Sequence, residues 1–178
     1  MASLLSGAAR AAHSAAAGLL SAAQITAGEP IPVKPVKEDD LQQTTVMDLT
    51  GKNIILGVPG AFTPSCSSQV PKYVEDYDRY KAKGVQNIYV VAVNDACVTK
   101  AWKAKLAPNG TAVRFISDDT GEFTSGLGML FDATKVLGGP RSKRYAIITD
   151  GNRADFVAVE DDPGSVTSTS SSSILERV

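Results

Sequence analysis

Two apolar runs limit what this chain can fold into. Residues 53–58 read NIILGV and residues 87–93 read NIYVVAV. Continuous apolar runs of this length, bounded by turn residues, suit strands buried on both faces. The stretch between them has helical spacing. Thr63 is placed to be an N-cap and Pro64 to be the first helical residue. Val70, Tyr73, Val74, Tyr77 and Tyr80 then recur every three or four positions, and Gly84 suits the residue just past a helix end. Pro71 is expected to kink this helix. Strand, helix and strand in that order predict a parallel pair with its connecting helix packed on the sheet.

The rest of the 178 residues extends the pattern. Residues 44–49 read as a short strand, 96–106 as a helix carrying the lone Trp102, and 114–117 as a third buried strand. Residues 122–127 suit a helical turn or two. Residues 144–149 and 154–159 flank Asp150-Gly151-Asn152, a hairpin-type loop. A Ser/Thr run occupies 165–173, and 174–178 close the chain as a final helix. The expected class is α/β: one mixed parallel and antiparallel sheet flanked by helices, in one domain.

Composition excludes several functions. Lys and Arg total 18 against 19 acidic residues, and no basic stretch stands out, so no nucleic-acid partner is expected. No apolar run is long enough for a membrane-spanning helix. One histidine, His13, and two cysteines, Cys66 and Cys97, cannot build a His-rich zinc site, a CxxC pair or a disulfide framework. No metal or cofactor is expected.

Residues 1–28 are set apart from 29–178. They hold eleven Ala, four Ser and one Arg, Arg10, and the first acidic residue is Glu29. An acid-free, Ala/Ser-rich leader reads as an organellar transit peptide, with the mitochondrial matrix as the expected address and the cytoplasm as the alternative. A secretory signal is a rival reading, since Ala15-Ala16-Ala17 could be a cleavage site, but Arg10 and His13 split its apolar segment. Without the leader the chain has no histidine, which excludes Ser-His-Asp and Cys-His mechanisms.

Cys66 falls in the first turn of the helix that leaves the first buried strand. Unpaired amides and the helix dipole there favour a thiolate. Thr63, Ser65, Ser67 and Ser68 make the turn polar, and Pro59 and Pro64 give a rigid, solvent-facing approach. The alternative is an inert, buried structural cysteine.

The stretch Pro59-Gly60-Ala61-Phe62-Thr63-Pro64-Ser65-Cys66 fits the pattern Pro-x3-Thr-x2-Cys. It resembles the signature of the peroxiredoxins, specifically the type II (five-like) branch of this thioredoxin-fold group. The likeness continues through residues 81–85, through Val93-Asn94-Asp95 with Trp102, and through Lys143-Arg144-Tyr145-Ala146-Ile147-Ile148, covering most of 25–178. The resemblance implies a thioredoxin-like fold and thiol-dependent reduction of hydrogen peroxide and alkyl hydroperoxides, an antioxidant activity. It makes Cys66 the peroxidatic cysteine and Thr63 the hydroxyl on thiolate and peroxide. Pro59 becomes the shield against water, and Arg144 the remote cation. On sequence grounds Arg141, Lys143 and Arg153 compete for that last role. The resemblance also implies a homodimer.

Three departures follow. Positions where the branch often carries a resolving cysteine look like Val90 and Ser168, or a neighbour of Ser168 in the Ser/Thr run. Cys97, read as a partly buried thiol at a helix start, has no support as its substitute. Gln69 stands where the branch suggests His, which is expected to remove a hydrogen-bonding group from the site. Together they imply a one-Cys mechanism, recycled by glutathione with glutaredoxin or by thioredoxin. Competing readings are a thioredoxin-type disulfide exchanger, disfavoured by the missing CxxC, and a non-enzymatic peroxide sensor or binding module using reversible Cys66 oxidation.

Overall fold

The computed structural model describes residues 23–178. Its main sheet has seven strands: β1 (Val36–Lys37), β2 (Thr44–Thr45), β3 (Lys52–Val58), β4 (Val85–Ala92), β5 (Arg114–Ser117), β8 (Tyr145–Asp150) and β9 (Arg153–Val159), in the spatial order β2-β1-β5-β4-β3-β8-β9. A separate two-stranded sheet pairs β6 (Leu130–Asp132) with β7 (Pro140–Ser142). The helices are α1 (Pro64–Glu75), α2 (Tyr77–Ala82), α3 (Ala96–Leu106), α4 (Glu122–Gly126), α5 (Thr134–Leu137) and α6 (Ser171–Leu175). Strands β3, β4 and β5 run parallel, while β8 and β1 pair antiparallel at either side, so the sheet is mixed as expected.

Period-two geometry explains the apolar runs. Along β3, Ile54, Leu56 and Val58 enter one core with Val70, Trp102 and Phe115, while Ile55 enters the other with Val91, Ile116 and Ile147. Helices cover the first face, and the second is closed partly by Ile25 and Ile31. Gly57, the gap in the β3 run, faces its register partner Tyr145. A Cβ there would lie 2.0 Å from the Tyr145 ring, so the aromatic occupies the space a side chain would need.

The reading and the structure differ in places. The 63–81 helix is two helices, and the break falls at Asp76 (φ −87°, ψ 4°), while α1 runs through Pro71. Only Thr44–Thr45 of the predicted 44–49 strand is strand. Arg144 precedes β8 instead of opening it. The excursion from β6 through α5 to β7 gave no apolar periodicity to detect. Arg10, His13 and most of the leader lie outside the described residues. Residues 23–28, on the leader side of the 28/29 division, lie against the sheet: Ile25 is buried and its amide donates to Leu127, and the Gly28 amide donates to Ala154. Among the described residues no helix is long and apolar enough to cross a membrane.

Candidate active site

The chain leaves β3 at Pro59 and turns before α1. Phe62 adopts a left-handed backbone (φ 64°), uncommon for an aromatic residue, and its side chain is half exposed. The Ala61 amide donates to Asn94 Oδ1 at 3.0 Å, fixing this loop to the end of β4. Thr63 has the extended backbone of an N-cap (φ −67°, ψ 148°), but its hydroxyl caps nothing; it donates to the Gly60 carbonyl at 3.0 Å. The first-turn amides that an N-cap side chain normally engages therefore have no such acceptor. No acidic residue stands in this turn. Cys66 sits at its third position, where amides and dipole favour an anion.

Cys66 is fully buried; on the approach to it Pro59 is buried and Pro64 is exposed. Beside it lies Arg144, itself 1% exposed, whose Nη2 donates to Cys66 Sγ at 3.4 Å. Its remaining bonds go to neutral acceptors: Nε and Nη2 to the Pro163 carbonyl at 3.0 and 2.8 Å, and Nη1 to Gln69 Oε1 at 2.6 Å. No carboxylate pairs with Arg144 among the described residues. A buried cation without a counter-ion is costly, so ionisation of the thiol it touches would balance it.

The competing cations are elsewhere. Arg141 bonds the carbonyls of Val93 and Leu137, Arg153 bonds the Gly28 carbonyl, and Lys143 bonds Gln24 Oε1. Cys97 is exposed, not partly buried, at the start of α3 behind the Asp95 cap. Val90 is buried in β4 and Ser168 is exposed on the loop before α6. Among the described residues no cluster of three or more His, Cys, Asp or Glu could hold a metal ion.

The expectation for Gln69 is corrected. Its carboxamide is buried between Arg144 and Thr169, accepting from the first and donating from Nε2 to the carbonyl and hydroxyl of the second, both at 2.9 Å. The hydrogen-bonding capacity thought lost with His is present in another form. Its place one helical turn beyond Cys66 was the sequence signal for it. The Pro163 carbonyl left no such signal.

A cavity of about 670 Å³ opens over this constellation. It is lined by Pro59, Thr63, Pro64 and Arg144 and by the apolar side chains of Phe131, Val136 and Leu137. The structure thus brings Pro59, Thr63, Cys66 and Arg144 to one place.

The chain is similar to known proteins over most of its length. The Redoxin family matches residues 26–174. The chain is 41% identical over 155 residues to peroxisomal membrane associated protein 20 of Schizosaccharomyces pombe, covering 86% of this chain and 99% of that one. It is 38% identical over 163 residues to peroxiredoxin-2B of Arabidopsis thaliana, covering 88% and 99%. The structure of reduced Prx3 from Vibrio vulnificus in complex with H2O2 superposes with a TM-score of 0.78 at 32% identity, covering 87% of this chain and all of that one. The chain belongs to the Redoxin family and, within it, to the type II (five-like) peroxiredoxins, thiol-dependent peroxidases of thioredoxin fold.

Proposed function

We propose that Cys66 is the peroxidatic nucleophile and that Arg144 holds it as the thiolate. The observation that carries this reading is the buried guanidinium at 3.4 Å from Cys66 Sγ with no carboxylate partner. The thiolate attacks one oxygen of a hydroperoxide. An S–O bond forms, the O–O bond breaks, and the leaving oxide takes a proton from solvent to become water or an alcohol. Sulfur is oxidised to the sulfenic acid as the peroxide is reduced. Negative charge moves from sulfur to the leaving oxygen, so donors already aimed at that path lower the barrier. Arg144 is one such donor, and it does not lose its proton. The Thr63 hydroxyl, on the cavity wall, supplies a second by turning from the Gly60 carbonyl. Pro59 limits water at the mouth.

Recycling uses an external thiol, glutathione with glutaredoxin or thioredoxin. It attacks the sulfenic sulfur, releases water and forms a mixed disulfide; a second thiol then frees Cys66. The separate settings of buried Cys66 and exposed Cys97 support a resolving thiol from outside. Peroxide consumption by the purified protein, with glutaredoxin and glutathione and separately with thioredoxin, tests this; no turnover with either overturns it.

Residues 1–28 are proposed to address the protein to the mitochondrial matrix, supported by their acid-free composition. A reporter fused to these residues should reach mitochondria, and a diffuse or secreted signal counts against the address. A homodimer through the loops beside the site is proposed on family membership and the half-exposed Phe62. A monomeric mass by light scattering at micromolar concentration refutes it.

A further inference from the structure

The Ser/Thr run after β9 gave no chemistry in the sequence, yet it is tied to one carboxylate. Glu160 is 7% exposed and accepts four hydrogen bonds: from the Thr167 amide at 2.7 Å and hydroxyl at 2.6 Å, and from the Thr169 amide and hydroxyl, both at 2.8 Å. It pairs with no cation among the described residues. Its own amide donates to the Arg144 carbonyl at 3.0 Å, so the carboxylate is carried by the residue aligned with Arg144.

Thr169 passes this arrangement inward. An ionised carboxylate only accepts, so the Thr169 hydroxyl must donate its one proton to Glu160. The hydroxyl and the Thr169 carbonyl then both face Gln69 as acceptors. That fixes the amide of Gln69: Nε2 points to Thr169, and Oε1 is left for Arg144 Nη1 at 2.6 Å. The reversed amide would set an NH2 group against the guanidinium. Tyr73 adds a bond to the Thr169 carbonyl at 2.6 Å, anchoring the same loop to α1.

We propose that Glu160 is a positioning residue for the Cys66–Arg144 pair, acting through Thr169 and Gln69 to set the direction of the bonds that hold the guanidinium on the sulfur. The inference rests on Cys66 as the nucleophile. Other titratable groups face the two ends of this relay. Tyr73 lies beside Gln69; Asp132, Lys135 and Asp162 line the cavity over Arg144; Lys143 and Asp161 line a smaller cavity beside Glu160. Of these, Tyr73 touches the relay, through its bond to the Thr169 carbonyl.

The test is the ultraviolet absorbance of the Cys66 thiolate against pH, in a Cys97→Ser background so that one thiol titrates. Thr169→Val, which removes the hydroxyl without changing charge, should move the midpoint up by about one pH unit, a tenfold smaller thiolate fraction below it. Thr169→Ser, which keeps the hydroxyl, should leave it in place. Glu160→Leu, which removes the acceptor, should move it the same way as Thr169→Val, and in a Gln69→Leu background, where the relay is already cut, should add nothing. An unchanged midpoint in Thr169→Val overturns the proposal, as do additive effects of Glu160→Leu and Gln69→Leu. If Glu160→Leu does not fold, the Thr169 pair decides. The titration uses no peroxide. Failure of peroxide turnover in the unsubstituted protein would strike the assignment of Cys66 as nucleophile, and the titration would still decide the relay.

Discussion

Arg144 Nη2 lies 3.4 Å from Cys66 Sγ, and among the described residues the sulfur is the one acceptor in that guanidinium's shell able to become an anion. The other acceptors, the Pro163 carbonyl and the Gln69 carboxamide, remain neutral.

Replacing this cation should therefore affect chemistry more than folding. Arg144→Ala should slow peroxide attack about a hundred- to a thousandfold, the order found for one preorganised donor. Arg144→Lys should also be impaired, because one ammonium cannot serve Pro163, Gln69 and Cys66 with the geometry of a planar fork. Arg141→Ala and Arg153→Ala should not reproduce the loss, since both residues bond distant carbonyls. Stopped-flow fluorescence of Trp102 is the measurement. Its indole Nε1 donates to Ser67 Oγ at 3.2 Å, next to Cys66 in the chain.

The two thiols should behave differently. Cys66→Ser should abolish peroxide consumption, and Cys97→Ser should keep most of it. Steady-state turnover with an external thiol separates them. Equal loss in both variants would make Cys97 the resolving thiol.

Tyr145 offers a stability test. Its ring fills the space over Gly57, and its buried hydroxyl has no hydrogen-bond partner among the described residues. Tyr145→Phe should be neutral or stabilising by up to about 1 kcal/mol, because it removes an unsatisfied polar group and keeps the ring. Gly57→Ala should destabilise by about 1–3 kcal/mol through overpacking. Urea unfolding of both variants reads the two effects.

Glu160 should shape the acid limb of stability. Burial pushes its carboxyl up, but the hydroxyl and amide of Thr167 and the amide and hydroxyl of Thr169 outweigh that, bringing it down to about 2. A group with a depressed native value stabilises the fold above its unfolded value of about 4.3. That contribution is lost as pH falls from there toward 2. Chemical denaturation across this range should show a shallower acid loss in Glu160→Gln than in the unsubstituted protein.

Much of the architecture was legible in the chain because its strands are buried on both faces. NIILGV and NIYVVAV became β3 and β4 with shifts of one or two residues, and α3 and β5 fell where their patterns ended. The place of Cys66 was legible for a local reason, since Thr63, Pro64 and Cys66 specify one helix start. The support around Arg144 was not, because it is assembled across sequence gaps of 75 residues to Gln69 and 78 to Cys66. Nothing near Thr169 announces that its carbonyl and hydroxyl meet Gln69. The break at Asp76 was missed since a mid-helix proline draws attention to itself, while a helix end made by backbone alone leaves no mark.

With Cys66 as the proposed nucleophile, its full burial divides the proposed cycle by the size of what must reach the sulfur. A peroxide would need less displacement of the groups over the thiol than a protein thiol, which would have to reach the first turn of α1. Pro71 lacks an N–H, so the Ser67 carbonyl lacks its usual helical partner four residues on, and the turn carrying Cys66 is held by one bond fewer. On that proposal, oxidation would run at the pace of chemistry and recycling at the pace of fraying. A substitution that stitched this seam shut, such as Pro71→Ala, would leave the enzyme quick to be oxidised and slow to recover, accumulating it in the spent form.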